Sequence, residues 1–380
     1  MDQIILKEAL DRCVEITRKN LDRFRGQFPN AFSENNIYKA IENNHWTNGF
    51  YTGILWLCYE YTGEEIFKEV ALENVVSFKE RLDQEIELET HDLGFLYSLS
   101  CVASYKITGD EMSKETALRA ADLLIGRYRE KGGFIQAWGA LDAEDNYRLI
   151  IDCLLNLPLL YWASEVTGDK HYYDIAYTHA KTALKYVIRE DHSTFHTYFF
   201  DKKTGAPSHG ATCQGYNDTS AWARGQAWGI YGTVLSYLVT KDEKFAEDFF
   251  KVKDYFISNL PEDFVPYWDL IFKEGDEPRD SSASAIAICG LLEMKKHLVE
   301  EKQIQELNRD AKQLMQALIE NYSASSEDET TGLLYHATYS KKTPYNTCTP
   351  EGVDECVIWG DYFYMEALMR MWRKDWKMYW

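Results

Sequence analysis

Three helical segments of this chain end on the same phrase: LCYEYTGEE around Thr62, ASYKITGDE around Thr108 and ASEVTGDKH around Thr167. A weaker fourth, YLVTKDEKF, falls at Thr240. In each, an apolar helix meets a Thr-Gly or Thr-Lys turn, where a left-handed residue can close it. An acidic residue then opens a second helix with apolar positions at helical spacing, as in Phe67, Val70, Ala71 and Val75. The repeating unit is a helical hairpin. Six apolar helices begin at Trp46, His91, Asp152, Trp222, Ser282 and Trp359, at intervals of 45, 61, 70, 60 and 77 residues. Each interval holds a helix, a loop and a return helix. Six hairpins predict two concentric rings, an all-α (α/α)6 toroid, with residues 1–380 as a single domain. Ile54 to Cys58 and Cys153 to Trp162 are nearly apolar all round, which suits an inner ring buried on both sides. An open solenoid of the same repeats is the alternative architecture.

Parallel inner helices would gather their N-termini at one end of the barrel, where unpaired N–H groups favour an anion. Polar, aromatic and acidic residues concentrate at those starts. Asp280 and Asp361 are expected to be ordinary helix caps. Asp152 differs, because Ile150, Ile151, Cys153, Leu154 and Leu155 surround it. Poor solvation raises a carboxylate's affinity for a proton, and a second carboxylate acts the same way. Asp92, at the start of another inner helix, is the candidate to face it across the bore. Such a pair can divide the roles of proton donor and charge stabiliser, and it equally fits ordinary glycoside hydrolysis.

The stretch His209 to Trp228, HGATCQGYNDTSAWARGQAW, carries side chains suited to a sugar. Trp222 and Trp228 offer stacking faces, Gln226 an amide, and Arg224 a fork that matches a carboxylate. An acidic sugar is the natural ligand, although the same residues would serve as an ordinary amphipathic helix start.

The net charge of −20 argues against nucleic acid and anionic membranes as partners. Eight scattered cysteines without CxxC pairs are expected to be reduced, and the N-terminus shows no signal peptide, so a cytoplasmic location is expected. The nine histidines form no HExxH, and no P-loop, GxGxxG or GxSxG is present. Catalysis without metal or cofactor is the simplest expectation, by a monomer or weak homo-oligomer.

WTNGFYTGILWLCYEYTG, HDLGFLYSLS, IQAWG, IIDCLLNLPLLYWA, QGYNDTSAWARGQAWGIYG, YWD followed by RDSSASAI, and IWGDYFYMEALMR occur in this order. Together they resemble the unsaturated glucuronyl hydrolases of glycoside hydrolase family 88, from about Leu21 to Arg370. The resemblance implies a cofactor-free (α/α)6 barrel that removes a terminal 4,5-unsaturated uronic acid from lyase-made oligosaccharides by hydrating a vinyl ether. It implies that Asp152 is the acid and base and Asp92 the partner carboxylate. It further implies Trp46 and Trp228 as stacking walls, Gln214 and His196 near the attacking water, Arg224 as a partner of the sugar, and His91 and Trp138 as pocket residues. Ser220 would be a helix cap. Cys213 departs from the family pattern, where His more often precedes Gln-Gly. The loop Tyr339 to Thr347 lies where members differ over sulfated substrates, and its Ser340, Lys341 and Lys342 are either solvated or in reach of a sulfate. An unsaturated galacturonyl-rhamnose hydrolase, a sugar epimerase and a non-catalytic binding protein are the rival readings.

Overall fold

In the computed structural model, which describes residues 1–325 and 327–380, the chain opens with α1 (Gln3–Phe24) and a hairpin of β1 (Phe28–Glu34) and β2 (Ile37–Ile41). Inner helix α2 (Asn48–Thr62) turns back as α3 (Glu65–Asp83). The second inner helix runs in three pieces, α4 (Leu93–Tyr97), a π-helical turn (Ser98–Val102) and α5 (Ala103–Thr108), and returns as α6 (Glu111–Gly126). The third joins α7 (Cys153–Asn156) and α8 (Pro158–Thr167) to α9 (Lys170–Val187). Then follow α10 (Ala223–Thr240) with α11 (Glu243–Ser258), and α12 (Ser281–Lys295) with α13 (Glu301–Asn321). Against the last inner helix, α14 (Ile358–Trp372), packs α1 from the other end of the chain. Because α14 also packs on α2, the inner ring closes, and the open solenoid is ruled out.

The repeated phrase has a common geometry. Gly63, Gly109 and Gly168 take φ of 74°, 74° and 76°, and Lys241 takes 55°. At each turn the threonine hydroxyl donates to the carbonyl four residues back and accepts the N–H of the acidic residue two ahead. Asp110, Asp169 and Asp242 then cap α6, α9 and α11 through their carboxylates. Each such cap stabilises its helix by roughly 1 kcal/mol.

These inner-to-outer turns are short, and the outer-to-inner connections are long. The site therefore has room at one end only, the end where the inner helices begin. The strands after β2 lie in those long connections: β3 (Tyr128–Arg129) with β4 (Phe134–Ile135), the three-stranded sheet of β5 (Arg148–Ile150), β6 (Thr197–Phe200) and β7 (Pro207–Ala211), and β8 (Ala337–Ser340) with β9 (Glu351–Glu355). Strands of two to five residues are too short for alternation to show in a sequence. Deeper in the bore, Trp380 stacks on Phe363 of α14 and meets Phe95 of α4 and Tyr231 of α10. Among the described residues no helix is long and apolar enough to cross a membrane.

Candidate active site

Two glycines bring the inner helices together where they begin. A Cβ on Gly94 would overlap the backbone of Asn156, and one on Gly49 would overlap the carbonyl of Phe95. Without those side chains, α4 seats against both α7 and α2. Asp92 and Asp152, one residue before α4 and α7, are thereby brought side by side.

Asn156 ties the two starts together. Its Oδ1 accepts from Phe95 N at 2.7 Å, and its Nδ2 reaches Asp92 Oδ1 and the Asp152 carbonyl at 3.4 Å each. Asp92 also accepts from Thr90 Oγ1 at 2.8 Å. Asp152 Oδ1 is buried and has no hydrogen-bond partner among the described residues. His91 Nε2 lies 3.4 Å from a carboxylate oxygen of each aspartate. At that length these are close approaches rather than good hydrogen bonds. Burial, helped by Arg127 and Arg148, pushes His91 down to about 3, so the ring is neutral and no ion pair forms.

The carboxylates are held unequally. Burial and then the Asp92 charge push Asp152 well above the usual range, opposed by the Arg224 cation. Asp92 is raised by burial to about 6, restrained by its bonds from Thr90 and Asn156. Near neutral pH this leaves Asp152 protonated beside an ionised Asp92. His91, Asp92 and Asp152 also present ligand atoms within 4.8 Å of one another, the group that could hold a cation.

Above the pair opens a cavity of about 390 Å³, lined by Trp46, His91, Asp92, Trp138, Ile150, Asp152, His196, Cys213, Gln214, Tyr339, Ser340, Thr347, Cys348, Thr349 and Glu351. A larger groove of about 640 Å³ between α9 and α11 contains no buried acid pair, so size does not select the site. Trp46 stacks on Trp359 at 5.4 Å and donates through Nε1 to Tyr339 Oη. His196 Nδ1 accepts the backbone N–H groups of Cys213 and Gln214, at 2.9 and 3.1 Å. Its proton therefore sits on Nε2, and burial holds the ring neutral, with its pKa pushed down to about 3. Gln214 donates through Nε2 to the Tyr339 carbonyl, which leaves its Oε1 as a free acceptor.

Seven of the expected pocket residues thus line one cavity: Trp46, His91, Asp92, Trp138, Asp152, His196 and Gln214. Arg224 and Trp228 do not. Arg224 is buried, and its Nη groups donate to Asp280 Oδ2 and to the carbonyls of Thr338 and Tyr339 at 2.6 to 2.7 Å. Its fork is occupied by the protein, and it acts on the site through its field at Asp152. Trp228 is packed between Phe95 and Phe363 below the cavity. Gln226 binds the carbonyls of His192 and Val252.

Asp280 is the partner of Arg224 rather than an ordinary cap. Asp361 accepts from Leu333 N, Leu334 N and Tyr38 Oη, and burial pushes it up to about 7. Ser220 donates to Asp269, which also accepts from Tyr216 N. Lys341 pairs with Glu277 and Lys342 donates to the Asn346 carbonyl, so neither faces the cavity. Asn156 could have been read from its position four residues after Asp152. Tyr339 left no such signal, because its contact with Trp46 spans the chain.

The model of Glycosyl Hydrolase Family 88 matches residues 20–353. The chain belongs to glycosyl hydrolase family 88. It is 50% identical over 375 residues to the unsaturated chondroitin disaccharide hydrolase of Streptococcus pneumoniae, covering 98% of this chain and 93% of that protein. The crystal structure of unsaturated glucuronyl hydrolase from Streptococcus agalactiae superposes with a TM-score of 0.96 at 47% identity, covering 100% of this chain and 94% of that one. A mutant of that enzyme complexed with dGlcA-GalNAc6S gives a TM-score of 0.88 at 43% identity over the same shares. These likenesses bear out both the toroid and the family read from the motifs, and this family member is a glycoside hydrolase.

Proposed function

We propose that this enzyme releases the terminal 4,5-unsaturated glucuronic acid from lyase-made glycosaminoglycan disaccharides, with residues 1–380 acting as one catalytic domain. The observation that carries the reading is the pair of buried carboxylates side by side in one cavity, Asp92 bonded by Thr90 and Asn156 and Asp152 Oδ1 left without such a bond, an arrangement that favours the proton on Asp152. Asp152 delivers its proton to C4 of the C4=C5 bond, leaving positive charge shared between C5 and the ring oxygen. Water adds at C5, and its proton passes to the Asp152 carboxylate, which restores the acid. The resulting hemiketal opens and the aglycone leaves.

The surrounding groups have separate tasks. Asp92 favours the protonated form of Asp152 and accepts hydrogen bonds from the sugar hydroxyls. Trp46 and Trp138 stack on the rings. His196, donating through Nε2, and Gln214, accepting through Oε1, hold the water. Arg224, behind the wall, stabilises the Asp152 carboxylate between the two proton transfers.

The names of the relatives and the sulfated disaccharide in one neighbour support this substrate class. The test is incubation with an unsaturated chondroitin or hyaluronan disaccharide, followed by its ultraviolet band. Loss of the band with addition of one water to the mass is expected. Persistence across a panel of such disaccharides, with turnover of unsaturated galacturonyl-rhamnose instead, would move the enzyme to the pectin fragment.

A further inference from the structure

The proposed substrate is an anion, yet among the described residues no lysine or arginine lines the cavity. The protein carries a net charge of −20, so a cation must be placed locally. Arg224 is already committed to Asp280 and two carbonyls. The β5–β6–β7 sheet supplies another candidate.

Alternate residues of a strand share a face, and so do residues directly opposite in an antiparallel pair. Arg148 lies two residues before Ile150 on β5 and directly opposite Phe199 on β6, which in turn faces His209 on β7. Ile150 lines the cavity, and so does Cys213 just beyond β7. Arg148 therefore stands on the sheet face that lines the cavity, one step further out.

Its guanidinium is held flat. It stacks 4.2 Å from the ring centre of Trp138, a wall residue, and 5.3 Å from that of Phe199. Nε donates to Asn146 Oδ1 at 2.9 Å, and the Asn146 amide also holds the Trp138 carbonyl. Among the described residues nothing hydrogen-bonds the two Nη groups, and no carboxylate forms an ion pair with them. Burial lowers the proton affinity of Arg148, and Asp145 opposes this from nearby without pairing. A planar fork fixed by two rings and one bond, with its outer edge open, suits a carboxylate or sulfate.

We propose that Arg148 binds an anionic group of the substrate through its Nη atoms at the cavity mouth, either the uronate carboxylate or a sulfate on the adjoining sugar. This rests on the unsaturated-uronide reading above. The test compares wild type, Arg148→Gln and Arg148→Lys on an unsulfated unsaturated disaccharide and on its 6-sulfated counterpart. Arg148→Gln is expected to lose about tenfold or more in kcat/KM on at least one of them through KM, with kcat within about threefold, and Arg148→Lys to fall between. Loss on both assigns the carboxylate, and loss confined to the sulfated one assigns the sulfate. Values within about twofold of wild type on both overturn the inference. If wild type consumes neither disaccharide, the functional reading fails instead. Calorimetric binding of the same disaccharides to Asp152→Asn with and without Arg148→Gln then decides. Weakening by about tenfold supports Arg148, and equal affinity overturns it.

Discussion

Asp152→Asn should remove turnover and at the same time stabilise the protein near neutral pH. In the unfolded chain an aspartate ionises near its ordinary value of about 3.9. In the folded protein, burial and the Asp92 charge raise Asp152 well above that. Its contribution is therefore most favourable below the unfolded value and is lost as pH rises toward the folded one. At pH 7 folding must keep a proton on Asp152 that the unfolded chain would give up, and this cost to stability grows as pH rises from the unfolded value toward the folded one. Asparagine has nearly the same shape and bears no such cost. At about 2.1 cal/mol/K per residue, a chain of 380 residues has an unfolding entropy near 0.8 kcal/mol/K, so each 1 kcal/mol that the variant gains raises Tm by about 1 °C. The assay is thermal or denaturant unfolding of wild type and variant from pH 4.5 to 7.5, with activity measured in parallel. The gap should widen as pH rises. A gap that is constant across this range would refute the raised proton affinity, and full activity would refute the role of Asp152.

For wild type, kcat/KM should fall as pH drops through about 6, where Asp92 takes up a proton, and should also fall on the alkaline side as Asp152 loses its own; a flat acid limb between pH 7 and 5 would contradict this. Gly94→Ala should push α4 away from Asn156, costing about 1–3 kcal/mol of stability and about 10²-fold in kcat, and a fully active, equally stable variant would show that the close seat is unnecessary. Asp280→Asn leaves the buried Arg224 cation without its counter-charge, so a loss of about 3–5 kcal/mol is expected, seen as a Tm lowered by roughly 4–6 °C. Dialysis against EDTA should leave turnover unchanged. Loss that a divalent cation restores would place an ion on His91, Asp92 and Asp152.

Local patterns carried much of this protein. The Thr-Gly-acid turn is written within four residues and makes the same bonds wherever it occurs, so the hairpins and their direction were legible before any tertiary contact. The direction of those hairpins put Trp46, His91, Asp92 and Asp152 at one end of the barrel, and the apolar run around Asp152 already implied a raised proton affinity. Tertiary structure decided the rest, because the partner of a long side chain is chosen by whatever the fold brings near it. Arg224 looked free for a substrate carboxylate until Asp280, Thr338 and Tyr339 were found around it, 56 to 115 residues away. Arg148 carries no signal among its sequence neighbours, and only the fold sets its guanidinium against Trp138 and Phe199. Ring closure likewise needed α14 to pack on α2 from the far end of the chain, a contact that no local periodicity encodes.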